Sequence, residues 1–149
     1  MKILIADDDS ASRVMLEAFV TKWGHEPVSF ADGGSAMMAF RMKDAPLVAI
    51  LDWMMPGLDG IEICRRLREV QKNTYILLLT SRDDSASLVQ GLEAGANDYI
   101  TKPFKKEELR VRLQVGVRYA QMQIALNQRL QELENLVREN QELKNKLLM

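Results

Sequence analysis

Short apolar runs that each stop at a polar residue, separated by stretches with helical spacing, dominate the first hundred residues. Ile3-Leu4-Ile5-Ala6 runs into Asp7, Asp8 and Asp9, and Leu47 to Leu51 runs into Asp52. Ile76 to Leu79 runs into Thr80, and Asp98-Tyr99-Ile100-Thr101 into Lys102. Continuous rather than alternating apolar runs are expected of strands covered on both faces. Between them the spacing predicts helices. The first covers 10–23 (Val14, Leu16, Ala18, Phe19, Trp23), with Ser10 as N-cap, Asp9 open to a helix-cap reading as well, and Gly24 at the stop. A weaker strand, Pro27 to Phe30, leads through Gly33-Gly34 into a Met-rich helix from about Ser35 to Met42. Further helices are expected at about 60–70 and 84–94. Five β-α units of this kind predict an α/β fold, a doubly wound five-stranded parallel sheet.

In such a sheet the carboxyl ends of the strands line one crevice, where ligands bind. Three carboxylates, a hydroxyl and an ammonium from distant positions are thereby brought together. Clustered carboxylates resist simultaneous ionisation unless a cation neutralises them. Mg²⁺ does so with one or two carboxylates while keeping several waters and accepting phosphate oxygens. A carboxylate so held can attack phosphorus to give an aspartyl phosphate. A metal and an ammonium then stabilise the equatorial oxygens during transfer. Asp52, Asp8, Thr80 and Lys102 are the residues placed for these roles.

Composition narrows the classes. A chain of 149 residues, 47% hydrophobic, can bury a genuine core. A net charge of -1 offers no electrostatic case for direct nucleic-acid or membrane binding. The lone Cys64 sits among Ile61, Ile63 and Leu67 and reads as a small core residue, so a reducing cytoplasm is the expected setting. The N-terminus enters a strand at once, without a signal-like segment. No apolar run approaches the roughly 18 residues of a membrane span.

From Lys105 onward the composition shifts to Glu, Gln, Arg, Lys, Leu and Asn, with no proline after Pro103 and one glycine, Gly116. An unbroken helix here would run about 65 Å. Leu109, Leu113, Val117 and Ala120 form a core-facing stripe. Leu133, Asn140 and Leu147 then fall at a positions and Leu136 and Leu143 at d positions of a heptad seam. Met122, Leu126 and Leu130 step by fours before that register begins. The expected division is 1–118 as one domain and 119–149 as a helical extension that pairs as a parallel coiled coil, a homodimer. The rival is a solvated helix cut from something longer. Gly116 is read either as a compliant joint or as a site of close helix packing.

Four stretches together resemble the receiver domain of two-component response regulators. They are Ile3 to Asp9, Asp52-Trp-Met-Met-Pro-Gly-Leu-Asp-Gly60, Leu79-Thr-Ser-Arg82, and Gly95-Ala-Asn-Asp-Tyr-Ile-Thr-Lys-Pro-Phe104. They fall in the family's order over about residues 1–118, with no departure at a chemical position. The resemblance implies a flavodoxin-like fold in which Asp52 accepts phosphate from a histidine kinase or phosphotransfer protein. It implies Mg²⁺ bound by Asp8, Asp52 and the backbone carbonyl of Met54, with Asp7 acting through water. It makes Lys102 the phosphoryl-contacting lysine, Thr80 and Tyr99 the switch pair, and Lys102-Pro103 a position where the family commonly has a cis peptide. Enzymatic activity is then confined to phosphorylation and dephosphorylation of the protein's own Asp52. Two other classes compete. A haloacid-dehalogenase-type phosphohydrolase would use the Asp-x-Asp of residues 7–9, but leaves Asp52 and its loop without a task and lacks a later acidic pair. A structural dimerising adaptor leaves the acidic site superfluous. Residues 119–149 carry no recognisable output domain. The coiled coil is the output, or these residues link to an effector in a longer protein.

Overall fold

In the computed structural model, which describes residues 1–70 and 72–149, strands and helices alternate without exception. The strands are β1 (Lys2–Ala6), β2 (Glu26–Phe30), β3 (Val48–Asp52), β4 (Tyr75–Thr80) and β5 (Asp98–Thr101). The helices are α1 (Ser10–Lys22), α2 (Gly33–Phe40), α3 (Gly60–Glu69), α4 (Ser85–Glu93) and α5 (Lys106–Leu148). All four strand pairings are parallel, and the order is β2-β1-β3-β4-β5. The chain goes out from β1 to one edge and returns to β3 on the other side. The crevice of a doubly wound sheet therefore opens between the carboxyl ends of β1 and β3.

The strands are buried because both faces are covered. Leu4, Ala6, Ala49, Leu51, Ile76 and Leu78 face one cluster with residues of α2 and α3. Ile3, Ile5, Val48, Ile50, Leu77 and Leu79 face a second cluster with α1 and α5. Cys64 lies fully buried in the first cluster, and burial pushes its thiol up to about 12, so it behaves as a core residue. An aspartate caps each of the first four helices. Asp9, Asp32, Asp59 and Asp84 accept from the backbone N–H of Ser12, Ser35, Glu62 and Ser87.

Those caps shift several expected boundaries. Asp9, not Ser10, is the N-cap of α1, and Ser10 is its first helical residue. Asp32 starts α2 at Gly33, two residues before Ser35, and the helix ends at Phe40 rather than Met42. Strand β3 runs one residue later than the apolar run, leaving Leu47 outside and half-exposed and taking in Asp52.

Helix α5 is continuous through Gly116. A Cβ there would lie 2.6 Å from Cδ1 of Tyr75, so the glycine lets the helix sit directly on that ring. This is the close-packing reading. Leu109, Leu113, Val117 and Ala120 are buried as expected, whereas residues 121–149 are exposed apart from a half-buried Gln123. Among the described residues no helix is long and apolar enough to cross a membrane.

Candidate functional site

The strand ends set the site's geometry. Ala6 pairs with Leu51 and Asp52 with Leu79, so Asp7, just past β1, and Asp52, the last residue of β3, stand at nearly the same level. Thr80 pairs with Thr101 one step further along, and Lys102 follows it. The structure thus brings Asp7, Asp8, Asp52, Thr80 and Lys102 to one end of the sheet.

Asp7 is fully buried, Asp52 nearly so, and Asp8 exposed. Each offers one carboxylate oxygen within 4.8 Å of the other two. The Lys102 ammonium lies 3.3 Å from Asp7 Oδ2 and 3.3 Å from Asp52 Oδ1. Among the described residues, one ammonium bridging two of three carboxylates leaves the cluster short of positive charge. The Asp52 carboxyl is raised from 3.8 to about 6. Burial is the main cause and Asp7 adds to it, while Lys102 pulls the other way. Three hard oxygen donors at this spacing and a deficit of positive charge fit a small divalent cation such as Mg²⁺.

The surrounding atoms hold these groups in place. The second oxygen of Asp7 accepts the Asp9 N–H at 3.0 Å, and the Asp7 carbonyl accepts Arg13 Nη1 at 2.8 Å. The Lys102 N–H donates to the Thr80 carbonyl at 2.6 Å, and Lys102-Pro103 is cis, as the resemblance implied. Gly60 explains the Asp-Gly at the end of the β3–α3 loop. A Cβ there would fall 2.6 Å from the carbonyl oxygen of Asp52, so only glycine lets the loop fold back over the end of β3. Met54 is exposed on this loop.

Thr80 and Tyr99 meet at one residue that the sequence did not single out. Thr80 Oγ1 accepts the Arg82 N–H at 3.0 Å, and the Tyr99 hydroxyl donates to the Arg82 carbonyl. The Arg82 guanidinium lies 5.0 Å from the centroid of Trp53, the residue after Asp52, and 3.7 Å from the Met54 sulfur. Tyr99 is buried edge-on to the same indole, 6.4 Å between centroids. Asp98 makes a second link. Its Oδ1 accepts the Tyr99 N–H at 2.8 Å, and both its oxygens accept Arg112 Nη1 of α5, at 2.9 and 3.0 Å. A basic residue two places after the strand-end Thr80 was the only local signal for Arg82. Nothing local marks Arg112.

The sequence that builds this cluster, residues 3–114, matches the family model of the response regulator receiver domain. The chain belongs to that family. The response regulator MprA of Mycobacterium leprae is 42% identical over 118 residues, covering 79% of this chain and 51% of MprA. The chain therefore spans about half the length of the curated relatives it matches. Among solved structures, the receiver domain of Francisella response regulator 1452 superposes with a TM-score of 0.75 at 32% identity, covering 79% of this chain and 97% of that one. The BeF₃-activated receiver domain of Klebsiella pneumoniae RstA does so with 0.74 at 34%, covering 79% and 99%. The α/β doubly wound, flavodoxin-like fold and the receiver function follow, and the phosphohydrolase and adaptor readings find no support.

Proposed function

We propose that Asp52 is the phosphoacceptor of this receiver, loaded by a sensor histidine kinase or a phosphotransfer protein. The observation that carries the reading is the acidic cluster itself, with Lys102 set equidistant from Asp7 and Asp52. Asp8, Asp52 and the Met54 backbone carbonyl would hold Mg²⁺ directly and Asp7 through water. When bound, such an ion would neutralise the cluster and polarise the phosphoryl oxygens. A carboxylate oxygen of Asp52 attacks phosphorus, the new O–P bond forms, and the bond to the donor nitrogen or oxygen breaks. Lys102 meets the charge on the equatorial oxygens, and Thr80 donates its hydroxyl to one of them.

Switching follows from the Arg82 peptide. When the phosphoryl group draws in Thr80 Oγ1, the Arg82 N–H loses its acceptor. The carbonyl that holds Tyr99 moves with that loop. Tyr99 then shifts toward the space Thr80 leaves, and Asp98 passes the change to Arg112 on α5. Residues 119–149 would pair two copies of the chain as a parallel coiled coil and carry the signal along its axis.

Acetyl phosphate with Mg²⁺ separates the classes. A receiver takes up one acid-stable, base-labile phosphate and releases it slowly, and Asp52→Ala abolishes the uptake. Rapid multiple turnover of phosphate esters, or unchanged uptake by Asp52→Ala, overturns the reading.

A further inference from the structure

Helix α5 has two apolar faces, and only one is covered. At about 100° per residue, Leu109, Leu113, Gly116, Val117 and Ala120 point to the chain's own sheet. Val111, Val115, Met122, Leu126, Leu133, Leu136, Asn140, Leu143 and Leu147 centre roughly 170° away from that direction. All the apolar members of this second face are exposed, from 48% at Val115 to 86% at Leu147. The stripe starts inside the receiver, not at the extension. Its upstream part repeats every eleven residues, Val111–Met122–Leu133 and Val115–Leu126. From Leu133 it repeats every seven, Leu133–Asn140–Leu147 and Leu136–Leu143. Eleven- and seven-residue repeats both keep a seam on one side of a helix, with different supercoil.

We infer that a second copy of this chain covers the whole stripe from Val111 to Leu147, in parallel and in register, with the two receivers carried on opposite outer sides of the helix pair. The inference rests on the dimer reading above and extends it. An exposed apolar stripe recurring along a helix of about 65 Å exceeds what monomeric proteins leave in water. Charge and polarity select the occupant. In parallel register Glu139 at g faces Lys144 at e of the partner copy, an attractive pair. Asn140 at a meets only its twin, where the two amides hydrogen-bond, whereas an antiparallel or shifted pairing sets the amide against leucine. Arg118 and Arg129 interrupt the stripe, and their long stems cover apolar surface while the guanidiniums leave at the rim. The domain face points away from the seam, so neither receiver obstructs the other. Both acidic pockets lie at the end where α5 begins, and the seam extends roughly 40 Å beyond Ala120.

Cysteine pairing in the full 149-residue chain tests this, with Cys64 silent because it is buried. Met122→Cys and Leu133→Cys should each form an intermolecular disulfide under mild oxidation, while Asn135→Cys, on the domain side of the helix, stays reduced. Val115→Asp with Met122→Asp should weaken self-association in sedimentation by more than about tenfold, because carboxylates then enter an apolar seam. If Leu136→Asp with Leu143→Asp leaves the mass in sedimentation unchanged, the dimer reading itself fails. If that pair dissociates the protein but Met122→Cys stays reduced and Val115→Asp with Met122→Asp has no effect, dimerisation stands and the extended seam is wrong. Cross-linking of position 122 to position 147 instead would establish antiparallel pairing and overturn the inference.

Discussion

Removing the charge on Asp52 should stabilise the metal-free protein, although it destroys the proposed nucleophile. Asp52 is 8% exposed, and its carboxyl is raised from 3.8 to about 6 by burial and by Asp7. About two units at 1.36 kcal/mol each put the penalty for keeping it ionised near 3 kcal/mol. Asparagine is nearly isosteric and uncharged, but it also deprives Lys102 of one of two carboxylates at 3.3 Å. The expected net gain for Asp52→Asn is thus about 1–3 kcal/mol, or roughly 3–10 °C in Tm for a domain this size. The sign with pH is fixed. A carboxyl whose folded pKa is raised favours folding fully below 3.8, and that contribution is lost as pH rises through about 6. The advantage of the asparagine variant is therefore largest above pH 7 and shrinks toward pH 4. Mg²⁺ should narrow the gap, since the wild type then gains binding energy through all three carboxylates. Thermal unfolding by circular dichroism in EDTA and in Mg²⁺, at pH 7.5 and 4.5, measures all four cases. A Tm for Asp52→Asn equal to or below wild type at pH 7.5 in EDTA would refute the charge-deficit account of the pocket.

Gly116→Ala improves helix propensity by about 1 kcal/mol. It also drives a methyl into the Tyr75 ring, so chemical denaturation should show a net loss of about 1–2 kcal/mol from overpacking; a gain in stability would reinstate the compliant joint. His25 carries a buried Nδ1 without a partner among the described residues, and burial, with the nearby chain amino group, lowers its pKa. Its stabilising contribution is full above pH 6.5 and lost as pH falls below it, so urea midpoints of His25→Gln should decline less between pH 7 and pH 5 than those of wild type. Thr80→Ala should still take up phosphate on Asp52, yet a beryllofluoride complex of that variant should leave Tyr99 bonded to the Arg82 carbonyl; a Tyr99 displaced as in wild type would remove Thr80 from the switch.

The strands and the pocket were legible because their signals are local. An apolar run that stops at a carboxylate, hydroxyl or ammonium marks both a buried strand and its functional end. Helix starts were less legible where capping residues crowd together. Asp9 and Ser10 both cap well, and only the extended backbone of Asp9 decides between them. Leu47 is apolar yet outside β3, since an apolar side chain at a strand's entry costs little when half-exposed. Arg82 and Arg112 stayed hidden because their partners, Trp53 and Asp98, are tertiary neighbours on other elements. The reading of Gly116 as joint or packing site turned on Tyr75, 41 residues away along the chain. The second face of α5 looked irregular upstream of Leu133 for a similar reason. Only the burial of Leu109, Leu113 and Val117 shows which side of the helix the domain has already used.

The most direct test of the central claim is to locate the phosphoryl group. The chain is incubated with acetyl phosphate and Mg²⁺, the acyl phosphate is trapped by borohydride reduction, and the digest is read by mass spectrometry. The account predicts one reduced residue per chain, at Asp52, absent when Mg²⁺ is withheld and absent in Asp52→Asn. Modification at Asp7, Asp8 or Asp9 instead, or equal modification without Mg²⁺, would contradict it.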